Sequence, residues 1–268
     1  MKQLKASVIS SQEVMPGVYL IWPQCPAIAS AARPGQFVMV KCGNDNLLRR
    51  PFSIHQVSDD KSRFALLYSV VGRGTQWLSK CKPGDELDVL GPLGNGFTIL
   101  PEARNILLVG GGIGIAPIYF LGSYAIKKGI KITLGIGTSK GVSLLPLHNM
   151  VIKLRDLCKN NKPLVKIHPF SEDGAHGVKG LVTSLCESCA DEVDQVFACG
   201  PTPMYHTMAK MPQLKGKPVQ VSLEVRMGCG FGLCYGCTIK TKQGLKQICK
   251  DGPVFEMNDI IWDEFAEI

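Results

Sequence analysis

Residues 227–237 read MGCGFGLCYGC, and the chain continues through Thr238 to Ile248 before reaching Cys249. Four cysteines, Cys229, Cys234, Cys237 and Cys249, therefore stand in the pattern C-x4-C-x2-C-x11-C. This spacing is an iron–sulfur signature, because two irons bridged by sulfides need four thiolates arriving from nearly all sides. One tight loop can supply the first three only if its backbone wraps the metal, and the glycines between the ligands permit that. Cys249 is expected to return after a short hairpin. A structural zinc site is the alternative, but zinc loops usually present two C-x2-C-like pairs, and the first gap here is four residues.

Upstream of this stretch the chain changes texture twice. From Lys5 to Leu90, short β-rich segments (6–11, 17–22, 36–41, 52–57, 63–71 and 86–90) alternate with turn signals such as Arg33-Pro34-Gly35 and Lys82-Pro83-Gly84. Six strands without long helices imply a small antiparallel barrel, interrupted by one short helix over 75–80. After Gly91–Gly96, strands expected at 105–109, 131–136, 164–168 and 195–198 alternate with helices expected at 116–127, 146–159, 181–189 and 203–211. That alternation is the pattern of an open parallel sheet. It stops at Val219, so the expected organisation is an α+β multidomain chain: a barrel over 1–100, an α/β nucleotide-binding domain over 101–218, and a small cluster module over 219–268.

Two stretches of the barrel suit a flavin. Arg50-Pro51-Phe52-Ser53 ends a loop and opens a strand, where an arginine can pair with a diphosphate and a serine hydroxyl can reach a ring edge. Val71-Gly72-Arg73-Gly74-Thr75 opens the short helix, whose free N–H groups suit phosphate. Alone, each is a common turn; on neighbouring strands they reinforce one another. In the second region Gly110-Gly111-Gly112-Ile113-Gly114 joins a strand to a helix, where a dinucleotide diphosphate would rest, although Pro117 replaces the last glycine of G-x-G-x-x-G. The end of the second strand, Gly137-Thr138-Ser139-Lys140, has no acid to bind ribose hydroxyls and a single basic group for a phosphate, so it leaves NAD and NADP open.

Taken together, Arg50–Ser53, Gly74-Thr75, Gly110–Pro117 and Cys199-Gly200-Pro201 resemble the ferredoxin–NADP reductase superfamily. The run Ser222–Cys229, with Cys249–Phe255, is more narrowly similar to the electron-transfer subunits of class 1B dihydroorotate dehydrogenases. The resemblance covers essentially the whole chain. It implies FAD held by Arg50, Pro51, Phe52, Ser53, Leu67, Tyr68, Ser69, Gly74 and Thr75. It also implies NAD near Gly111, Gly112, Gly114, Cys199, Gly200 and Pro201, and a [2Fe-2S] cluster on the four cysteines. By the same resemblance, dihydroorotate would reduce FMN on a separate catalytic subunit, and electrons would pass through the cluster and FAD to NAD+ in pyrimidine biosynthesis. Two copies of each subunit would form a heterotetramer. A flavin is required between the two carriers, because hydride brings two electrons together whereas a cluster takes one at a time. The alternative is the small subunit of an NADH-dependent ferredoxin:NADP oxidoreductase or sulfide dehydrogenase. A non-catalytic redox sensor is a third reading, which no DNA-binding or signalling segment supports.

Bulk properties narrow the classes further. At 268 residues and 45% hydrophobic, the chain is globular and large enough for two or three domains. Eleven cysteines without a basic-then-apolar leader favour a reducing, cytoplasmic setting over disulfides. The uncharged run over 105–126 is broken by glycines and Pro117, which speaks against a membrane span. The formal charge of +8 comes from scattered basic residues, which argues against nucleic acid; a cluster and a dinucleotide would each bring about −2. Cys186 and Cys189 form an isolated C-x2-C read as ordinary helix cysteines. The five histidines show no ligand spacing, and Trp22, Trp77 and Trp262 read as packing anchors.

Overall fold

The computed structural model describes residues 1–43, 47–158 and 165–265. Six antiparallel strands, β1 (Lys2–Met15), β2 (Val18–Gln24), β3 (Phe37–Lys41), β4 (Arg50–Val57), β5 (Phe64–Ser69) and β6 (Glu86–Leu93), close into a barrel in the order β1-β2-β5-β4-β3-β6. In β6 buried residues recur at every second position, so one face turns inward. The barrel interior is filled by Val38, Val40, Ile54, Phe64, Leu66, Leu87 and their neighbours. The structure corrects the sequence reading in two details here. The first strand is longer than 6–11, and there are two short helices rather than one: α1 (Pro26–Ala29) and α2 (Arg73–Ser79). Pro26 at the first turn of α1 is a start signal that the turn-based reading passed over.

The second layer is a seven-stranded sheet with helices on its faces. Its strands are β7 (Asn105–Gly111), β8 (Lys131–Thr138), β9 (Val165–Ser171), β10 (Val178–Lys179), β11 (Gln195–Cys199), β12 (Val219–Ser222) and β15 (Val254–Glu256), ordered β10-β9-β8-β7-β11-β12-β15. All neighbours are parallel except β12 and β15. β7 is buried almost throughout, as expected for a parallel strand covered on both faces. The helices are α3 (Ile115–Lys127), α4 (Gly141–Ile152), α5 (Ser184–Cys189) and α6 (Thr202–Ala209). None of the described helices is long and apolar enough to cross a membrane.

Helix α4 begins five residues before the expected proline start. Leu144, Leu147 and Val151 are buried at helical spacing, and the Asp173 carboxylate accepts the Gly141 N–H at 3.0 Å. Packing and this cap outweigh the backbone bond that Pro146 forgoes inside the helix. Helix α5 is shorter than expected, which leaves Leu181 and Val182 in a loop facing the cleft described below. The expected termini Lys159 and Leu164 lie outside the described residues.

The parallel sheet runs on into the C-terminal segment, which supplies β12 and the antiparallel edge strand β15. Between them a hairpin, β13 (Thr238–Thr241) and β14 (Gly244–Gln247), leads into α7 (Ile248–Asp251). Asn95 after the barrel binds this segment through its N–H to Gly252 O at 2.6 Å and its side chain to Asp251 O at 3.0 Å. Cys237 and Cys249 share one core with Met39 of the barrel and Val109, Val196 and Val221 of the sheet.

Candidate functional site

The hairpin returns Cys249 to the cysteine loop as the sequence reading expects. Ile248 N donates to Cys237 O at 3.1 Å, and Cys249 N donates to Cys237 Sγ at 3.4 Å. The Cys234 side chain helps to lower the Cys229 thiol, and the Cys237 thiol helps to raise that of Cys249, so each of these cysteines has another of the four beside it. A two-iron cluster would draw on all four thiolates, with bridging sulfides completing the coordination of each iron. Among the described residues no three His, Cys, Asp or Glu side chains are drawn together as they would be around a bound metal ion.

Backbone donors reach the sulfurs: Gly232 N to Cys249 Sγ at 3.1 Å and Leu233 N to Cys229 Sγ at 3.3 Å. Gly232 manages this at φ +88°, where a side chain would also strike Lys250. Burial opposes ionisation of Cys229, but N–H groups of Phe231, Cys234 and Leu233 outweigh it and bring the thiol down to about 6. Cys249 is pushed up to about 12 by burial and by the adjoining Cys237 thiol. Cys237 and Cys249 are buried while Cys234 is exposed, and around it Leu233 (71% exposed), Tyr235 (70%) and Phe231 (41%) offer apolar surface to the outside.

The cluster loop is braced on the barrel. A Cβ at Gly230 would lie 2.5 Å from Met39 Cγ, so loop and strand β3 touch without a side chain between them. Met39 pairs with Pro51 of β4, and Phe37 with Ser53. The cysteine loop therefore stands one strand away from Arg50–Ser53.

On the other side of β4 a cleft of about 1580 Å³ runs between barrel and sheet. Arg50, Pro51, Phe52, Ser53, Leu67, Tyr68, Ser69 and Thr75 line one end, and Gly111, Gly112, Gly114, Gly200 and Pro201 line the other. Gly74 and Cys199 stand outside the lining but support it. A Cβ at Gly74 would lie 3.1 Å from Arg50 Cγ, so the glycine gives the arginine room beside α2. The Thr75 hydroxyl closes its own loop, accepting from Val71 N at 2.9 Å and donating to Gly72 O at 3.0 Å. The Tyr68 hydroxyl is buried in the cleft wall without a hydrogen-bond partner among the described residues, and burial pushes it above the usual phenol range. A polar group of a flavin in the cleft would satisfy it, which fits the residues to that cofactor.

The two glycine-bearing loops meet at the sheet edge. A Cβ on Gly114 would collide with the Cys199 carbonyl, and one on Gly111 would lie 2.8 Å from Pro201 Cδ. Tyr205 stitches the same corner, donating to Ser222 O at 2.6 Å and accepting from Gly200 N at 2.9 Å. The sequence reading missed Glu224, which lines the cleft and is exposed there; partial desolvation by the surrounding cleft walls raises its carboxyl above the usual range. Burial, and then the Glu224 charge, hold the Cys199 thiol well above its ordinary value. A lone acid directly after an apolar strand was the available signal for Glu224. His148 and His176, unrelated in sequence, meet at 3.4 Å, while Cys186 is fully buried as expected of a core cysteine.

Residues 224–261 match the model of the iron–sulfur cluster binding domain of dihydroorotate dehydrogenase B, and residues 27–97 match the oxidoreductase FAD-binding domain. The chain is 35% identical over 264 residues to the dihydroorotate dehydrogenase B (NAD(+)) electron transfer subunit of Caldanaerobacter subterraneus subsp. tengcongensis, covering 97% of this chain and 99% of that protein. It is 37% identical over 270 residues to the subunit of the same name from Desulforamulus reducens, covering 98% and 99%. Among solved structures it resembles an NADH-dependent reduced ferredoxin-NADP oxidoreductase, with a TM-score of 0.81 at 29% identity over 97% of this chain and 90% of that one. The ferredoxin reductase of carbazole 1,9a-dioxygenase shares the fold, with a TM-score of 0.68 at 18% identity over 82% and 68%.

Proposed function

The chain belongs to the family of dihydroorotate dehydrogenase B electron-transfer subunits, and from that premise we propose how its residues divide the work. It is a flavin and iron–sulfur oxidoreductase subunit that acts with a separate catalytic subunit. In our reading the cluster is [2Fe-2S], and Cys229, Cys234, Cys237 and Cys249 would hold it. Arg50 would pair with the FAD diphosphate, and Ser53, Ser69, Phe52 and Tyr68, which line the same end of the cleft, would hold the rest of the cofactor. The turn Gly111–Gly114 and the loop Cys199–Pro201 receive NAD(H). Bound there, FAD would supply exchange of electrons in pairs with the nicotinamide and singly with the cluster. The three tasks map onto residues 1–100, 101–218 and 219–268.

The exposed surface of Phe231, Leu233 and Tyr235 around Cys234 supports docking of the partner at the cluster. We take that partner to be an FMN-containing catalytic subunit that oxidises dihydroorotate, joined in a cytoplasmic assembly of two of each. The observation that carries this reading is the contact of Gly230 with Met39, which seats a surface cysteine loop one strand from the flavin residues while the same strands face the nucleotide cleft. The test is anaerobic purification, assay of iron and flavin, and mixing with a dihydroorotate dehydrogenase catalytic subunit. Dihydroorotate-dependent reduction of NAD+ is expected. A colourless preparation without flavin or iron would overturn the reading, and NAD+ reduction driven only by ferredoxin would move the chain to the oxidoreductase alternative.

A further inference from the structure

The strand ends that frame the cleft carry a clue to which dinucleotide enters it. Strand order reverses at β7, with β8 and β9 on one side and β11 and β12 on the other. Ligands of open α/β sheets lie over such a reversal, with the diphosphate on the first glycine turn and the adenosine ribose over the end of the next strand. That end, Thr138-Ser139-Lys140, has no acid. Strand β9 supplies one from next door. Thr138 pairs with Ser171, Glu172 N donates to Thr138 O at 3.2 Å, and Glu172 lines the same cleft as Thr138, Ser139 and Ser143. Among the described residues its side chain has no hydrogen bond or ion pair of its own, which leaves its carboxylate available to a ligand.

The next residue strengthens the sign of this edge. Asp173 accepts the N–H groups of Ala175 and Gly141, each at 3.0 Å, and these bonds hold its carboxyl below the usual range. Gly141 is the first residue of α4, so a fixed negative charge already occupies the N-terminal donor that a ribose phosphate would seek there. Lys140 adjoins the same end, and the side chain of Lys179 packs beside Gly174, so the edge is mixed in charge rather than a cationic phosphate pocket.

Resting on the nucleotide reading above, we infer that Glu172, backed by Asp173, selects the free 2′-hydroxyl of NAD(H) against the 2′-phosphate of NADP(H). The carboxylate of Glu172 accepts a hydrogen bond from a ribose hydroxyl and repels a phosphate in its place. The acid expected at the end of the second strand is thus supplied by the third.

The experiment is calorimetric titration of the FAD- and cluster-loaded chain with ADP-ribose and with 2′-phospho-ADP-ribose, which needs no turnover. The wild-type protein is expected to prefer ADP-ribose, and Glu172→Gln to narrow that preference about tenfold, the scale of one charged hydrogen bond. Glu172→Ala should narrow it likewise, and steady-state kinetics with NADH and NADPH should follow the same ratio. A wild-type preference for the phosphorylated ligand, or an unchanged preference in both variants with binding intact, overturns the inference alone. Failure of the wild-type protein to bind either ligand overturns it together with the nucleotide reading.

Discussion

Gly114 lies so close to the carbonyl oxygen of Cys199 that a single added methyl group would overlap it. The contact holds the turn after β7 against the end of β11, and the cleft between them keeps its width because no side chain intervenes. Gly114→Ala should therefore force the two loops apart. A rise in the KM for NADH of roughly tenfold or more is expected, at the level of 1–3 kcal/mol for overpacking. The visible spectrum of flavin and cluster should be retained, and spectra with dye-linked NADH kinetics would check both halves.

Arg50 tests the flavin end. Its side chain lies beside Gly74, and Nη1 donates to Leu48 O at 2.6 Å. Removing a charged partner of a diphosphate costs about 1.5–3 kcal/mol, so Arg50→Ala should weaken FAD about ten- to a hundredfold. Gly74→Val, which crowds the arginine without removing its charge, should weaken FAD in the same direction. Recovery of flavin fluorescence on dilution would measure both.

Cys234 is the exposed member of the four thiols. Serine there should leave NADH-to-dye activity within about twofold and lower transfer to the catalytic subunit by two orders of magnitude or more, since only the second route needs the cluster. Equal loss of both activities would mark the cluster as a structural staple.

The proposed docking face can be tested without touching any of the four cysteines. Leu233→Asp places a charge in the exposed apolar surface and should weaken association with the catalytic subunit by at least about tenfold. NADH-to-dye turnover should persist. Analytical ultracentrifugation of the mixed subunits would report the change.

His55 gives a pH signature. It is fully buried, lies tilted against Tyr119 with ring centroids 4.7 Å apart, and contacts Ala116 O through Nδ1 at 3.0 Å. Burial lowers its pKa from 6.5 to about 4, so between these values the unfolded chain takes up a proton that the folded one refuses. Stability contributed by the neutral ring is thus full above about 6.5, falls as pH drops through the window, and levels off below about 4. The loss is on the order of 3 kcal/mol. Denaturation midpoints at several pH values should show it, and His55→Phe should flatten that portion of the profile.

The barrel and sheet were legible because each carries a period: alternation in strands such as β6, and an apolar run then a glycine turn at β7. The iron–sulfur module was legible from cysteine spacing alone, since the first three cysteines come from one loop. What the sequence concealed depends on tertiary placement. Helix α4 starts at Gly141 because Asp173, thirty-two positions later, caps it. Glu224 takes its raised carboxyl from its place in the wall of a cleft that only the fold assembles. The continuation of the sheet through Val219–Ser222 looked like the end of a pattern because only four residues of strand remain before the cysteine segment begins.

That last strand has a practical corollary. β12 is hydrogen-bonded to β11 on one side and to β15 on the other, and both β12 and β15 belong to the same C-terminal stretch as the cysteines. Cutting the chain at residue 218 would strip β11 of a partner and leave a buried strand as a bare, sticky margin. The metal-bearing tail is thus no detachable cartridge: a shortened reductase lacking it would be expected to clump rather than to work as a simpler enzyme.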